Sequence, residues 1–239
     1  MIIGILQTGH LPEAISEREG EYSDMFQRLL GGRGFEFRVF NVVDMEFPDG
    51  HGAADAWLIT GSRHGAYEDL PWIAPLEELI RGIRDADKPL VGICFGHQIV
   101  AQALGGKVVK FPGGWALGLR RYRIGDAEVQ LHAWHQDQVV ELPEGATVLG
   151  RGDATAYAML AVGERILTIQ PHPEFERPVV EGLIEHRGGA IEPTLVAAAA
   201  ASLDARNDNA AIGRWMGDVL QGAPATRVPE AITSTKAEA

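Results

Sequence analysis

With 239 residues and a net charge of −12, from 21 Lys and Arg against 33 Asp and Glu, the chain is long for one domain and short for two, and its sign disfavours nucleic acid or an anionic membrane as partner. Hydrophobic residues make up 46% of it, enough for a substantial core, yet no run approaches the ~20 apolar residues of a membrane span. The single cysteine excludes an intrachain disulfide, so nothing requires an oxidising compartment and a cytoplasmic protein is expected.

The opening stretch Met1-Ile2-Ile3-Gly4-Ile5-Leu6 lacks a basic leader and meets Gln7, Gly9 and His10 at once. It reads as a central parallel strand followed by a polar loop over 7–20, not as a signal peptide. Residues 22–30 carry Tyr22, Met25, Phe26, Leu29 and Leu30 at helical spacing and stop at Gly31-Gly32. Over 35–40, Phe35, Phe37 and Val39 alternate with Glu36 and Arg38, and Asp55-Ala56-Trp57-Leu58-Ile59-Thr60 reads as a further strand. After the loop 61–69 a helix begins at Pro71-Trp72-Ile73, with Leu76, Leu79, Ile80 and Ile83 on one face and Glu77, Glu78, Arg81 and Arg84 on the other. Strands alternating with helices build βαβ units, so an α/β fold is expected: a mostly parallel twisted sheet, helices on both faces, flavodoxin-like.

From 107 to 169 the pattern changes. Strand-like stretches at 107–110, 119–124, 127–131, 139–142, 147–150, 156–162 and 165–169 follow one another without long helices, separated by turns such as Gly113-Gly114, Gly125-Asp126 and Pro143-Glu144-Gly145. They predict a smaller antiparallel layer joined to the edge of the parallel sheet. Helices return at 179–186, 193–203 and 210–220. The small, polar, proline-punctuated stretch 222–239 is expected to be a disordered tail, leaving one domain over 1–221 whose part 192–221 is a helical extension.

The chemistry gathers on L-V-G-I-C-F-G-H-Q, residues 90–98. An apolar strand runs into a helical pattern, and Cys94 stands at the turn between Gly92 and Gly96, the G-x-C-x-G spacing of a nucleophile elbow. A lone cysteine is otherwise a small buried hydrophobe; the two glycines and the strand-to-helix switch favour the nucleophile. Such a thiol needs a base and a group to orient that base. His172 lies in Q-P-H-P-E after an apolar strand, and Glu174, two residues on in an extended segment, points to the same side. His97, in the first turn of the elbow helix, is the competing base, with a geometry that packs it back against the sheet. His132, His135 and Asp137 form H-x-x-H-x-D, but a strand cannot bring those imidazoles together, so neither a metal nor another cofactor is expected. An oxyanion needs amide donors; that of Phe95 follows the nucleophile, and the second falls to Gly61 or Ser62 at the end of a neighbouring strand.

Three separated motifs, G-I-C-F-G-H-Q around Cys94, W-H-Q-D-Q-V from Trp134 and Q-P-H-P-E around His172, together resemble the class I glutamine amidotransferases, the triad family that includes the glutaminase domain of GMP synthase. The resemblance covers roughly residues 1–187. It implies a parallel sheet with an added antiparallel layer, and hydrolysis of a γ-glutamyl amide through a thioester on Cys94, with His172 as base and Glu174 as its orienting carboxylate. It also implies Phe95 with Gly61 or Ser62 as oxyanion hole, and Gln98, His135, Gln136 and Asp137 on the substrate side, Gln136 standing where many members carry glycine. The substrate implied is a small molecule: glutamine, with an ammonia-accepting synthetase as partner, or alternatively a γ-glutamyl peptide. The stretch 61–73 looks like the stand-alone members of the family, among which are γ-glutamyl peptidases, and these residues carry no second catalytic domain and no P-loop, so the leaving group stays open between the two. A catalytically silent regulatory binding protein is the reading from another class; the intact nucleophile, base and acid argue against it.

Overall fold

A computed structural model of the chain describes residues 1–233. Its strands are β1 (Ile2–Leu6), β2 (Glu36–Phe40), β3 (Ala56–Ile59), β4 (Leu90–Ile93), β5 (Lys107–Lys110), β6 (Ala116–Ile124), β7 (Ala127–His135), β8 (Asp137–Glu141), β9 (Ala146–Gly152), β10 (Thr155–Val162) and β11 (Ile166–Ile169). Its helices are α1 (Glu13–Glu19), α2 (Tyr22–Leu29), α3 (Ile73–Asp85), α4 (Phe95–Ala103), α5 (Arg177–Arg187), α6 (Pro193–Ala201), α7 (Asn209–Leu220) and α8 (Glu230–Thr233).

Nine strands form one sheet in the order β2-β1-β3-β4-β11-β10-β9-β6-β7. The first five are parallel, the rest antiparallel, and β5 pairs with β8 in a separate ribbon. Successive side chains of a strand leave on opposite faces, so the parallel strands feed two cores. Ile3, Ile5, Leu58, Val91 and Ile93 enter one, closed by Phe26 of α2 and by Ile212, Trp215, Met216 and Val219 of α7. Leu6, Trp57, Ile59 and Leu90 enter the other, closed by Leu76, Ile80 and Ile83 of α3 and Ile99 and Val100 of α4. Gly4 is required here because a Cβ would lie 2.4 Å from the Trp57 ring. A third cluster joins α1 and α5 through Ile15, Tyr22, Phe175, Val179 and Leu183.

The antiparallel arm also returns to the parallel half. The His172 N–H just beyond β11 donates to the His132 carbonyl of β7 (2.8 Å), an isolated bridge that closes β11, β10, β9, β6 and β7 into a ring.

Three expectations change. The loop 7–20 contains α1, which has no apolar periodicity and buries only Ile15, against Gly182. The hairpin β6–β7 is longer than 119–131, pairing from Ala116↔His135 to Ile124↔Ala127, so Trp134 and His135 end a strand and do not sit in a loop. The stretch 222–233 is not a disordered tail. The Ala225 N–H donates to Glu164 O (2.8 Å), Arg165 Nη1 donates to Gly222 O (2.9 Å), and Ala225 and Ile232 are fully buried. Its few apolar residues are spaced to reach the core, a signal that mean polarity hides; positions 234–239 lie outside the described residues. Ile232→Ala should therefore cost about 2–4 kcal/mol in urea unfolding, whereas a tail residue would cost nothing. Among the described residues no helix is long and apolar enough to cross a membrane.

Candidate active site

Neighbouring parallel strands end at one edge, where an open α/β sheet builds its sites. β1 delivers Thr8 there, β3 delivers Thr60, Gly61 and Ser62, β4 delivers Cys94, and β11 leads to Gln170 and His172. Cys94 caps α4 with φ 52 and ψ −100, a backbone state that costs a non-glycine residue about 1–3 kcal/mol. The surroundings over-determine it. Its N–H donates to Ile169 O (2.8 Å), and the Gly96 N–H donates to Thr60 O (3.1 Å). A Cβ on Gly92 would stand 2.6 Å from Gly96 O, and one on Gly96 2.5 Å from Ile59 O, so the elbow admits only glycine on both sides.

His172 faces this cysteine. Its Nδ1 donates to Glu174 Oε1 (2.7 Å), and its other ring nitrogen is left free on the side of Cys94. Its ring lies flat on Phe175, centroids 3.9 Å apart and planes 3° apart. Both His172 and Glu174 are almost wholly buried. Burial alone would lower the imidazole; the charges of Cys94 and Glu174 outweigh it and hold His172 up to about 10. The other histidines of this edge behave oppositely. Burial pushes His97 and His135 down to about 3 and His132 to about 4. His97 is fully buried with its Nδ1 on Thr168 Oγ1 (2.8 Å), away from the thiol chemistry.

Cys94 and His172 open into a cavity of about 550 Å³. Ser62, Gln98, His135, Gln136 and Asp137 line it too. Gln98 donates its side-chain amide to Asp137 O (2.9 Å) and Gln170 Oε1 (3.2 Å), so it braces α4 against β8 as much as it faces the space. His135 Nδ1 bonds the same Asp137 carbonyl (3.2 Å), and Gln136 Nε2 donates to Phe111 O (3.3 Å). The Asp137 carboxylate accepts from Tyr67 Oη (3.2 Å), and desolvation raises it above the usual carboxylate range. Phe95 sends its ring into the core against Trp72 and its amide into the unpaired first turn of α4. Gly61 packs on the pair: a Cβ there would lie 3.0 Å from His172 Cε1 and 3.8 Å from Cys94 Cβ. His132 and His135, three apart on β7, leave on opposite faces. Among the described residues no group of three or more His, Cys, Asp and Glu is arranged to hold a metal ion.

Sequence reasoning missed Tyr22, Phe175 and Thr8. Tyr22 and Phe175 look like core residues and are, yet they also wall the cavity. Thr8 stands just past β1 at the shared edge, the one signal that could have found it; its hydroxyl donates to Gly61 O (3.0 Å).

Fold and site thus define an α/β protein with a strained cysteine elbow facing a histidine–carboxylate pair. Residues 22–180 match the model of the glutamine amidotransferase class-I family, and the chain belongs to that family. It is 34% identical over 203 residues to γ-glutamyl peptidase 4 of Arabidopsis thaliana, covering 77% of this chain and 81% of that protein. A glutamine-hydrolyzing GMP synthase of Thermotoga maritima is 29% identical over 164 residues, 64% of this chain but 31% of that enzyme. A glutamine amidotransferase structure from Methylobacillus flagellatus superposes with a TM-score of 0.73 at 21% identity, over 92% of this chain and 91% of that one, which shows the shared fold.

Proposed function

We propose that the chain hydrolyses the γ-glutamyl bond of a γ-glutamyl peptide or amide through a thioester on Cys94. The observation that carries this is His172, bonded to Glu174 on one ring nitrogen and facing Cys94 with the other. Cys94 Sγ attacks the γ-carbonyl carbon, its proton having passed to His172. The tetrahedral oxyanion meets the Phe95 amide and that of Ser62. Ser62 is favoured over Gly61 because the Gly61 carbonyl accepts from the Thr8 and Thr60 hydroxyls (3.0 and 3.1 Å), and in a trans peptide the next N–H points the opposite way. As the C–N bond breaks, His172 gives its proton to the departing nitrogen. It then takes one from the water that hydrolyses the thioester, releasing glutamate and the free thiol.

Glutamine as donor, with ammonia passed to a synthetase, is the second reading and the one closer to the family's name. The peptide is preferred because the relative at 34% identity is named a γ-glutamyl peptidase and the cavity has the size of sites that hold drug-sized ligands, about 300–1,000 Å³. The test is glutamate release from glutamine and from a panel of γ-glutamyl dipeptides. Higher kcat/KM for dipeptides is expected; preference for glutamine moves the assignment to the second reading, and no turnover of any donor sinks both.

A further inference from the structure

We propose that Arg187 sets specificity on the leaving-group side of the cavity, its guanidinium binding the free carboxylate of an amino-acid or peptide leaving group. This rests on the γ-glutamyl hydrolase reading above and narrows its substrate class.

The direction follows from the proton transfer. His172 must reach the departing nitrogen, so the leaving group starts on the His172 side of Cys94. That wall continues from the His172 ring to Phe175, stacked on it, and from Phe175 to Tyr22, ring centroids 6.3 Å apart. Beyond Tyr22 stands Arg187, half-buried at the end of α5 and lining the same cavity. Tyr22 feels both ends of this path: burial raises its hydroxyl above its ordinary range, Arg187 opposes that rise, and Cys94 and Glu174 add to it.

None of the cavity cations Arg63, Lys110 and Arg187 forms an ion pair among the described residues, but Arg187 is the one not set beside a cavity carboxylate. Arg63 and Lys110 act on the cavity carboxylates Glu68 and Asp137. Arg187 makes no ion pair among the described residues; one bond, Nη2 to His10 O (3.3 Å), aims the group and leaves most of its five N–H donors free. Helix-dipole attraction accounts for a cation at the end of α5. It does not account for a guanidinium that lines the cavity and is paired with no carboxylate among the described residues. A planar fork of donors there fits a carboxylate in two-pronged fashion, and ammonia, the leaving group from glutamine, could not use it.

The experiment compares γ-glutamyl-alanine with its C-terminal amide, on wild type, Arg187→Gln and Arg187→Lys, with thermal melts to verify folding. Wild type should prefer the carboxylate form. In Arg187→Gln the ratio of kcat/KM between the two substrates should fall about ten- to a hundredfold, chiefly through KM, and Arg187→Lys should recover part of it. An unchanged ratio overturns the assignment. So does an equal loss on both substrates, which would place Arg187 on the glutamyl end or in the fold. Should wild type cleave neither, the hydrolase reading fails, and calorimetry on Cys94→Ala decides the rest: binding of γ-glutamyl-alanine over its amide that vanishes when Arg187→Gln is added supports the carboxylate contact, and binding without that preference overturns it.

Discussion

Cys94→Ala is expected to reduce glutamate release from any γ-glutamyl donor by about four to six orders of magnitude, because a covalent pathway has no slower version once its nucleophile is gone. The fold should survive. The turn is dictated by the Cys94 N–H to Ile169 bond and by the close approach of Gly92 and Gly96, none of which involves the sulfur, so the melting curve should move by only about 1 kcal/mol. Rate measurements on the purified variant, with its circular dichroism alongside, check both halves. Turnover within tenfold of wild type, by that comparison of about one order of magnitude, would remove Cys94 from the mechanism.

Glu174→Gln should cost about two to four orders of magnitude in kcat, since a neutral amide neither stabilises the imidazolium nor holds the ring in the right tautomer. The same substitution has a second readout in stability. Burial lowers His172, and the charges of Cys94 and Glu174 raise it from 6.5 to about 10. A group whose folded value is raised contributes stability that is complete below the unfolded value, near 6.5, and is lost as pH rises through 10. Removing the Glu174 charge lets burial weigh more, so the alkaline loss should begin at lower pH in the variant. Melting temperatures between neutral pH and the alkaline end, wild type beside Glu174→Gln, measure it; superimposable alkaline limbs would mean that Glu174 does not hold the proton on His172.

How far the sequence revealed this molecule depends on where each signal is written. The strand–elbow–helix at Cys94 was legible because steric limits at Gly92 and Gly96 are local, and the pairing of His172 with Glu174 because two residues of an extended segment share a side. The parallel half with helices on both faces followed from short, mostly apolar strands set between amphipathic helices such as α3. What escaped was non-local. Tyr22 and Phe175 carry the apolar signature of a core and serve a cavity wall as well. α1 has too few apolar positions to announce itself, and its one anchor, Ile15, is fixed by a glycine on α5 far along the chain. The segment around Ile232 is polar on average, and only the gap it fills shows why its apolar residues matter. The ground for proposing the Ser62 amide over that of Gly61 is two hydroxyls, one of them from just past β1, that no motif couples to that loop.

The ring closed by His132 and His172 gives the chain an order of events. Cys94 and His172 follow adjacent strands, yet every residue of the antiparallel arm lies between them in sequence, and contacts of that separation form late because the intervening chain must first be organised. Until β6 and β7 have paired and turned back to hold the His172 amide, the half-folded chain carries Cys94 without His172 held against it. The meeting of Cys94 and His172 is thus a property of the completed fold, and any chemistry that needs both waits for the antiparallel arm to close.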